Sequence, residues 1–205
     1  MTRDAFYAAL AERIGESAAD RLRRSAVGVA GLGGLGSHIA LSLARSGVGK
    51  LVVADFDTVE ISNIHRQCYP LSSVGMCKTD AIREEISRIN PWCEVECHTV
   101  RMGKEDAGMF SGCDVVCEAF DSAEQKIMLI ESLSAMGKTI VSGNGMAGIG
   151  DANSIVTRRI ADRLYVCGDG ESDIGTEGTI TETRVAVCAA HQANAAVRMI
   201  LGLEP

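Results

Sequence analysis

The 205-residue chain has only three prolines, one tryptophan, no C-x-x-C pair and no surplus of positive charge. Each absence excludes something. No apolar run approaches the roughly 20 residues that a membrane span requires, and the first twenty residues, MTRDAFYAALAERIGESAAD, hold no signal-peptide core. A cytoplasmic location is therefore expected, with no membrane partner. Twenty lysines and arginines face 27 acidic residues, and the net charge of −7 argues against binding nucleic acid or anionic lipid non-specifically. Eight cysteines are present, but the nearest pairs, Cys93 with Cys97 and Cys113 with Cys117, stand four apart on expected strands. Such pairs share a strand face yet lie too far apart for one tetrahedral ion. They read as buried packing residues, and neither a structural zinc nor a disulfide framework is expected. No Ser-His-Asp arrangement is evident, and no linker, repeat or low-complexity tract divides the chain.

What is present is glycine, 22 residues of it, and enough apolar residues (46%) for one sizeable core. The informative stretch runs from Ala26 to Gln67. A short apolar run, Ala26 to Ala30, suits a buried parallel strand. Gly31, Gly33 and Gly36 follow in G-x-G-x-x-G spacing, with Gly34 between them. Ile39, Ala40, Leu43 and Ala44 then recur at helical spacing, and a second apolar run, Leu51 to Ala54, ends on Asp55. This is a βαβ unit whose glycines let the backbone approach a phosphate at a helix N-terminus, and whose terminal aspartate is placed for a ribose hydroxyl. Taken alone, the fingerprint favours a dinucleotide and an oxidoreductase. Past Asp55, however, come Asp57, Asn63, Arg66, Gln67 and Lys78. Two cations and an amide beyond the carboxyl ends of the strands suit a triphosphate better than a nicotinamide ring.

GLGGLGS (Gly31–Ser37), the Asp55-Phe56-Asp57 triplet, Ser62-Asn63-Ile64-His65-Arg66-Gln67, Gly75-x-x-Lys78 and Ala119-Phe120-Asp121 together resemble the ubiquitin-activating-enzyme superfamily. Within it, the strings GMAGIGD, RRIADRLYVCGD and AAHQAN are similar to the short ThiF-type adenylyltransferases. The nucleotide motifs are shared with the MoeB and tRNA-modifying branches. The resemblance implies ATP-dependent adenylylation of the C-terminal carboxylate of a small ubiquitin-like sulfur carrier ending in Gly-Gly, here ThiS, in thiamine thiazole formation. It also implies a homodimer in which an arginine before the first strand, matched to Arg13, reaches the partner subunit's phosphates. Many larger relatives carry a zinc site of two C-x-x-C pairs, and this chain departs from them there. Relatives that form a covalent intermediate use a cysteine beyond the sheet, which makes Cys167 the candidate here and Cys188 the second.

Adenylation needs positioning and charge neutralisation rather than a protein nucleophile, because the substrate's carboxylate attacks. Asp55 is expected to hold the ribose. Asn63, Arg66 and Lys78 are expected on the triphosphate with Gln67 in support, and Asp121 on Mg²⁺ with Asp57 beside it or behind it. Taken singly, these residues have plainer readings. Arg66 and Lys78 could be surface cations, and Asp121 and Asn63 could be helix caps. A non-catalytic carrier-binding scaffold remains a third reading.

Alternation of strands and helices predicts an α/β, Rossmann-like, doubly wound and mostly parallel sheet in a single domain over 1–205. An N-terminal helical segment (1–24) precedes a nucleotide-binding core (25–142) and a strand–loop–helix extension carrying the carrier-binding loops (143–205). Helices are expected at Lys78–Ile89, Ala123–Met136 and Arg184–Leu201, a turn of helix at Asn63–Tyr69, and added strands at Ser154–Arg159 and Leu164–Val166. A mobile acidic loop is expected between Gly168 and Gly178.

Overall fold

The structure, a computed structural model, describes residues 2–205. Helices α1 (Arg3–Ile14) and α2 (Glu16–Arg24) are one helical segment broken at Gly15, whose φ of 88° no ordinary helix accepts. Then come β1 (Ala26–Ala30), α3 (Gly34–Arg45), β2 (Lys50–Ala54), α4 (Lys78–Ile89), β3 (Glu94–His98) and β4 (Val115–Glu118). The chain closes with α5 (Ala123–Ala135), β5 (Thr139–Gly143), β6 (Val156–Ala161), β7 (Leu164–Gly168), a short α6 (Ile174–Glu177) and α7 (Glu182–Ile200). The seven strands lie in the order β3-β2-β1-β4-β5-β7-β6, parallel except for the β6–β7 pair. Strand order reverses between β1 and β4, so their carboxyl ends open the crevice in which such sheets bind ligands. The strands after Gly143 were expected to form an added region. They extend the same sheet, because β7 continues it in parallel with β5.

Both faces are covered. On one, Ile39 and Leu43 of α3, Ile82 and Ile86 of α4, and Val185 and Ala189 of α7 form a core with β1 and β2. On the other, Leu129 and Leu133 of α5 join Phe110, which ends the helical turn Lys104–Phe110. Gly28 in β1 makes room for that ring, since a Cβ there would meet Phe110 Cδ1 at 2.5 Å. No helix among the described residues is long and apolar enough to cross a membrane.

Two local details differ from the sequence expectation. The helical turn after β2 covers Ile61–Asn63, earlier than expected, because Glu60 and Asn63 close a reciprocal capping box. The acidic stretch 168–178 is also tied down rather than featureless. Asp169 Oδ1 accepts N–H bonds from Glu171 (2.9 Å) and Ser172 (2.8 Å), while Oδ2 accepts from Arg184 Nη2. Arg184 Nη1 in turn donates to the Asp151 carbonyl at 2.7 Å, so one buried guanidinium fastens both glycine-rich loops to the start of α7.

Gly36 sits where α3 crosses the turn after β1, and an added Cβ would lie 1.8 Å from the Gly31 carbonyl oxygen. Gly36→Ala is expected to lower stability in urea unfolding by about 1–3 kcal/mol. Gly112→Ala, where nothing lies within 4 Å, should stay within about 0.5 kcal/mol. Burial pushes the Asp169 carboxyl up, but the Ser172 and Glu171 donors and the Arg184 charge outweigh it and hold it below its ordinary value. A depressed carboxylate stabilises the fold above its unfolded value of about 3.9 and loses that contribution as pH falls through the folded value. Urea unfolding from pH 5 down to pH 3 should therefore show a shallower loss of stability in Asp169→Asn than in the parent chain.

Candidate functional site

Residues from the carboxyl ends of β1, β2, β4 and β5 surround a cavity of about 930 Å³. Its floor is the glycine turn. Gly31 needs its φ of 89° and has no room for a side chain, because a Cβ would stand 2.8 Å from the Ala119 carbonyl oxygen. Gly33 is the N-cap of α3 and brings no side chain to its first turn, whose N–H groups face the cavity uncapped. Gly34 lets α7 and the Arg66 segment close in, with Val185 Cγ1 at 3.0 Å and the Arg66 carbonyl oxygen at 3.5 Å from a Cβ built there. The turn is anchored by Tyr69, whose hydroxyl donates to the Leu32 carbonyl at 2.8 Å.

Asp55 is buried at the tip of β2, 8% exposed. Its Oδ2 accepts the Leu32 N–H at 2.6 Å and its Oδ1 the Asp57 N–H at 2.8 Å. Burial raises this carboxyl above its ordinary range, against Lys78 and those two N–H donors. Each oxygen accepts a single bond, so both keep acceptor capacity, and Asp55 lines the cavity. Lys78, the first residue of α4, is 6% exposed and pairs with Asp57 at 2.8 Å, so it is a buried cation rather than a surface one. The segment between them is laced to itself, with Lys78 N–H on the Asp57 carbonyl and Gly75 N–H on the Val59 carbonyl.

Arg66 donates through Nη1 to the Ser62 carbonyl at 3.2 Å, leaving Nε and Nη2 without a protein partner among the described residues. Gln67 is buried at 7% exposure with Oε1 unpartnered, and its Nε2 lies 3.8 Å from a Cβ built at Gly33. Asn63 does act as a cap: its Oδ1 accepts the Glu60 N–H at 3.1 Å, while its side chain still lines the cavity. Asp121 does not. Ser122 caps α5 by accepting the Gln125 N–H at 3.4 Å, and Asp121 stays exposed at the cavity without a hydrogen bond among the described residues.

Three expected residues lie elsewhere. Cys167 is fully buried in β7 and does not line the cavity; burial pushes its thiol up to about 11, with the Thr157 hydroxyl pulling the other way. Cys188 is buried too, its thiol pushed up to about 12 by burial. Neither thiol reaches the cavity, and burial opposes a thiolate at both positions. Arg13 is exposed in the last turn of α1 and contributes nothing to the cavity of its own chain.

Sequence reasoning missed a buried brace behind Asp121. Glu118 ends β4 with no exposure and accepts the Phe120 N–H at 2.7 Å, the Ser142 hydroxyl at 2.5 Å and the Lys126 ammonium. Lys126 also donates to the Gly143 carbonyl at 2.9 Å, and Gln192 Nε2 bridges the carbonyls of Glu118 (2.9 Å) and Val141 (3.0 Å). The signal was legible: a glutamate closing the apolar run Val115-Val116-Cys117 must be buried, and a buried carboxylate needs a cation. Arg101 and Phe56 were missed as well. The guanidinium carbon stands 3.9 Å from the ring centroid at the cavity wall.

The chain resembles known proteins along nearly its whole length. It is 33% identical over 197 residues to the adenylyltransferase and sulfurtransferase MOCS3 of Drosophila yakuba, covering 89% of this chain and 42% of that protein. It is 38% identical over 137 residues to the tRNA threonylcarbamoyladenosine dehydratase of Bacillus subtilis, covering 65% and 54%. The chain thus spans about half, or less, of the length of these curated relatives. Among solved structures, the E. coli tRNA N6-threonylcarbamoyladenosine dehydratase TcdA in complex with ATP superposes with a TM-score of 0.87 at 23% identity, over 97% of this chain and 94% of that one. E. coli MccB with MccA-N7isoASN gives 0.74 at 20%, over 96% and 66%. These two show a shared fold. The ThiF family pattern matches residues 7–205, and the chain belongs to the ThiF family.

Proposed function

We propose that this chain is an ATP-dependent adenylyltransferase that activates the C-terminal carboxylate of a small ubiquitin-like sulfur carrier. One observation carries the reading: a half-free arginine, a buried lysine, an uncapped helix N-terminus and an unpaired aspartate line a single cavity. A nicotinamide ring needs none of that charge. A triphosphate needs all of it.

In this reading the phosphates lie against the first turn of α3. Arg66 offers Nε and Nη2, and Lys78 leaves Asp57 for a phosphate oxygen. Gln67 and Asn63 hold the flanks, and Asp55 takes a ribose hydroxyl with its remaining acceptor capacity. The carrier's carboxylate oxygen attacks the α-phosphorus; the bond to the β-phosphate oxygen breaks, and pyrophosphate leaves with its charge spread over Arg66 and Lys78. The donor set suits magnesium, since Asp121 is a free oxygen ligand beside the phosphate site. Held by Asp121, magnesium would supply charge neutralisation for the pyrophosphate. The brace through Glu118 and Lys126 holds the turn that presents Asp121.

The similarity to MOCS3, named an adenylyltransferase and sulfurtransferase, supports a carrier of the sulfur-transfer class. The short-ThiF strings support ThiS as that carrier. A tRNA substrate, suggested by the dehydratase likeness, is disfavoured by a net charge of −7. A homodimer in which Arg13 crosses to the partner subunit's cavity fits its exposed place on α1.

Carrier-dependent exchange of labelled pyrophosphate into ATP tests the reading. Arg66→Ala and Lys78→Ala should each lower exchange about 100-fold or more, with melting temperatures checked to exclude unfolding. Asp121→Ala should raise the magnesium concentration needed for half-maximal exchange. Titration calorimetry should show ATP binding and no NAD binding. Exchange that is absent with every Gly-Gly-ended carrier, while ATP still binds, would point to the scaffold reading instead.

A further inference from the structure

Beside the Gly34–Val185 contact, three side chains from separate elements meet, and none of them lines the nucleotide cavity. Cys68 follows Gln67, His38 lies in the second turn of α3, and Glu182 opens α7. Cys68 Sγ stands 3.1 Å from His38 Nδ1, and His38 Nε2 stands 3.7 Å from Glu182 Oε1. Nε2 is shielded from solvent and has no hydrogen-bond partner among the described residues, and Glu182 is the carboxylate it faces. The Cys68 N–H donates to the Ser37 hydroxyl at 3.1 Å, which fixes the thiol against α3. An imidazole with a thiol at one nitrogen and a carboxylate towards the other is the arrangement of a base-activated nucleophile.

The surroundings make the base necessary. Burial pushes the Cys68 thiol up to about 11; the Ser37 hydroxyl and Arg45 pull it down, and Glu182 and Glu85 reinforce the rise. Burial pushes His38 below its ordinary value, against Glu182 and the Arg66 carbonyl, which favour the charged ring. The resting pair is a neutral thiol beside a neutral imidazole. The thiol reacts only if its proton has somewhere to go, and His38 Nδ1 takes it in the tautomer that carries the ring proton on Nε2, facing Glu182.

We propose that Cys68, His38 and Glu182 form a base-assisted thiol site that exchanges with small uncharged or cationic disulfides. The Cys68 sulfur forms a bond to one sulfur of the disulfide RS–SR while its proton passes to His38 Nδ1. The original S–S bond breaks, and the departing RS⁻ takes that proton and leaves as RSH. Cys68 is oxidised to a mixed disulfide, and the other half of the reagent is reduced to a thiol. Glu182 and the Arg66 carbonyl stabilise the transient imidazolium. Two nearby carboxylates, Glu182 and Glu85, against the single Arg45 disfavour an anionic reagent.

The full chain, freed of reductant, is treated with cystamine, and each cysteine is followed by peptide mass spectrometry. Cys77 and Cys97, also partly exposed but with no hydrogen-bonded histidine, are the comparators. Cys68 should react about tenfold faster than either, and faster with cystamine than with glutathione disulfide. His38→Gln should slow Cys68 about tenfold and Glu182→Gln about threefold, with both comparators unchanged. In the parent chain the Cys68 rate should level off near neutral pH, whereas an unassisted thiol would keep climbing towards its value of about 11. If His38→Gln does not fold, Glu182→Gln, altered at an exposed carboxylate, and the pH profile decide. A Cys68 rate no greater than those of the comparators, or one unchanged by Glu182→Gln and rising steadily through neutral pH, overturns the site.

Discussion

The site depends on how one buried carboxylate is used. Asp55 at the tip of β2 accepts the N–H of Leu32 from the glycine turn and the N–H of Asp57 from the loop that follows. Both bonds are charge-assisted and sheltered, which makes them stronger than bonds between neutral groups. They tie the glycine turn to the cation-bearing loop. The Ala119 carbonyl, just past β4, packs close against Gly31, and the Tyr69 hydroxyl holds the Leu32 carbonyl. In the proposed reading, a ribose hydroxyl at Asp55 would meet a carboxylate that is already oriented.

Around that anchor, charge is stored in pairs that a ligand can reopen. Lys78 rests on Asp57, and Arg66 spends one nitrogen on a backbone carbonyl. Leaving either cation unpaired in a buried setting would be costly, and pairing it too well would deny it to substrate. By contrast, Glu118 is satisfied on all sides by Lys126, Ser142 and a backbone N–H, as suits a brace that is not meant to move. The clasp between Asp169 and Arg184 plays the corresponding part for the loops across the cavity.

Much of this was legible in the sequence, for identifiable reasons. Local patterns predicted local structure: α4 begins and ends as expected, because the apolar spacing of Ala81, Ile82 and Ile86 and the stop at Asn90-Pro91 are properties of the chain itself. The glycine spacing foretold the turn, since Gly31 and Gly36 are sterically required where they stand. Long-range pairings were not legible. Arg184 reaches Asp169 and Asp151 across the fold, and the acidic loop therefore looked mobile when read alone. Asn63 was equally ambiguous, because the same amide caps a turn and faces the cavity. Cys167 was singled out by its place beside a glycine-rich loop, but the alternation of β7 turns it into the core.

The proposed binding of one ATP's phosphates by Arg66 and Lys78, beside Asp121, is open to direct observation. Its most direct measurement is a crystal structure with a non-hydrolysable ATP analogue and Mg²⁺. Phosphate oxygens are expected within hydrogen-bond reach of Arg66 and Lys78, with Lys78 released from Asp57 and the ribose on Asp55. A triphosphate bound away from both cations, or Lys78 still paired to Asp57 with the analogue in place, would contradict it.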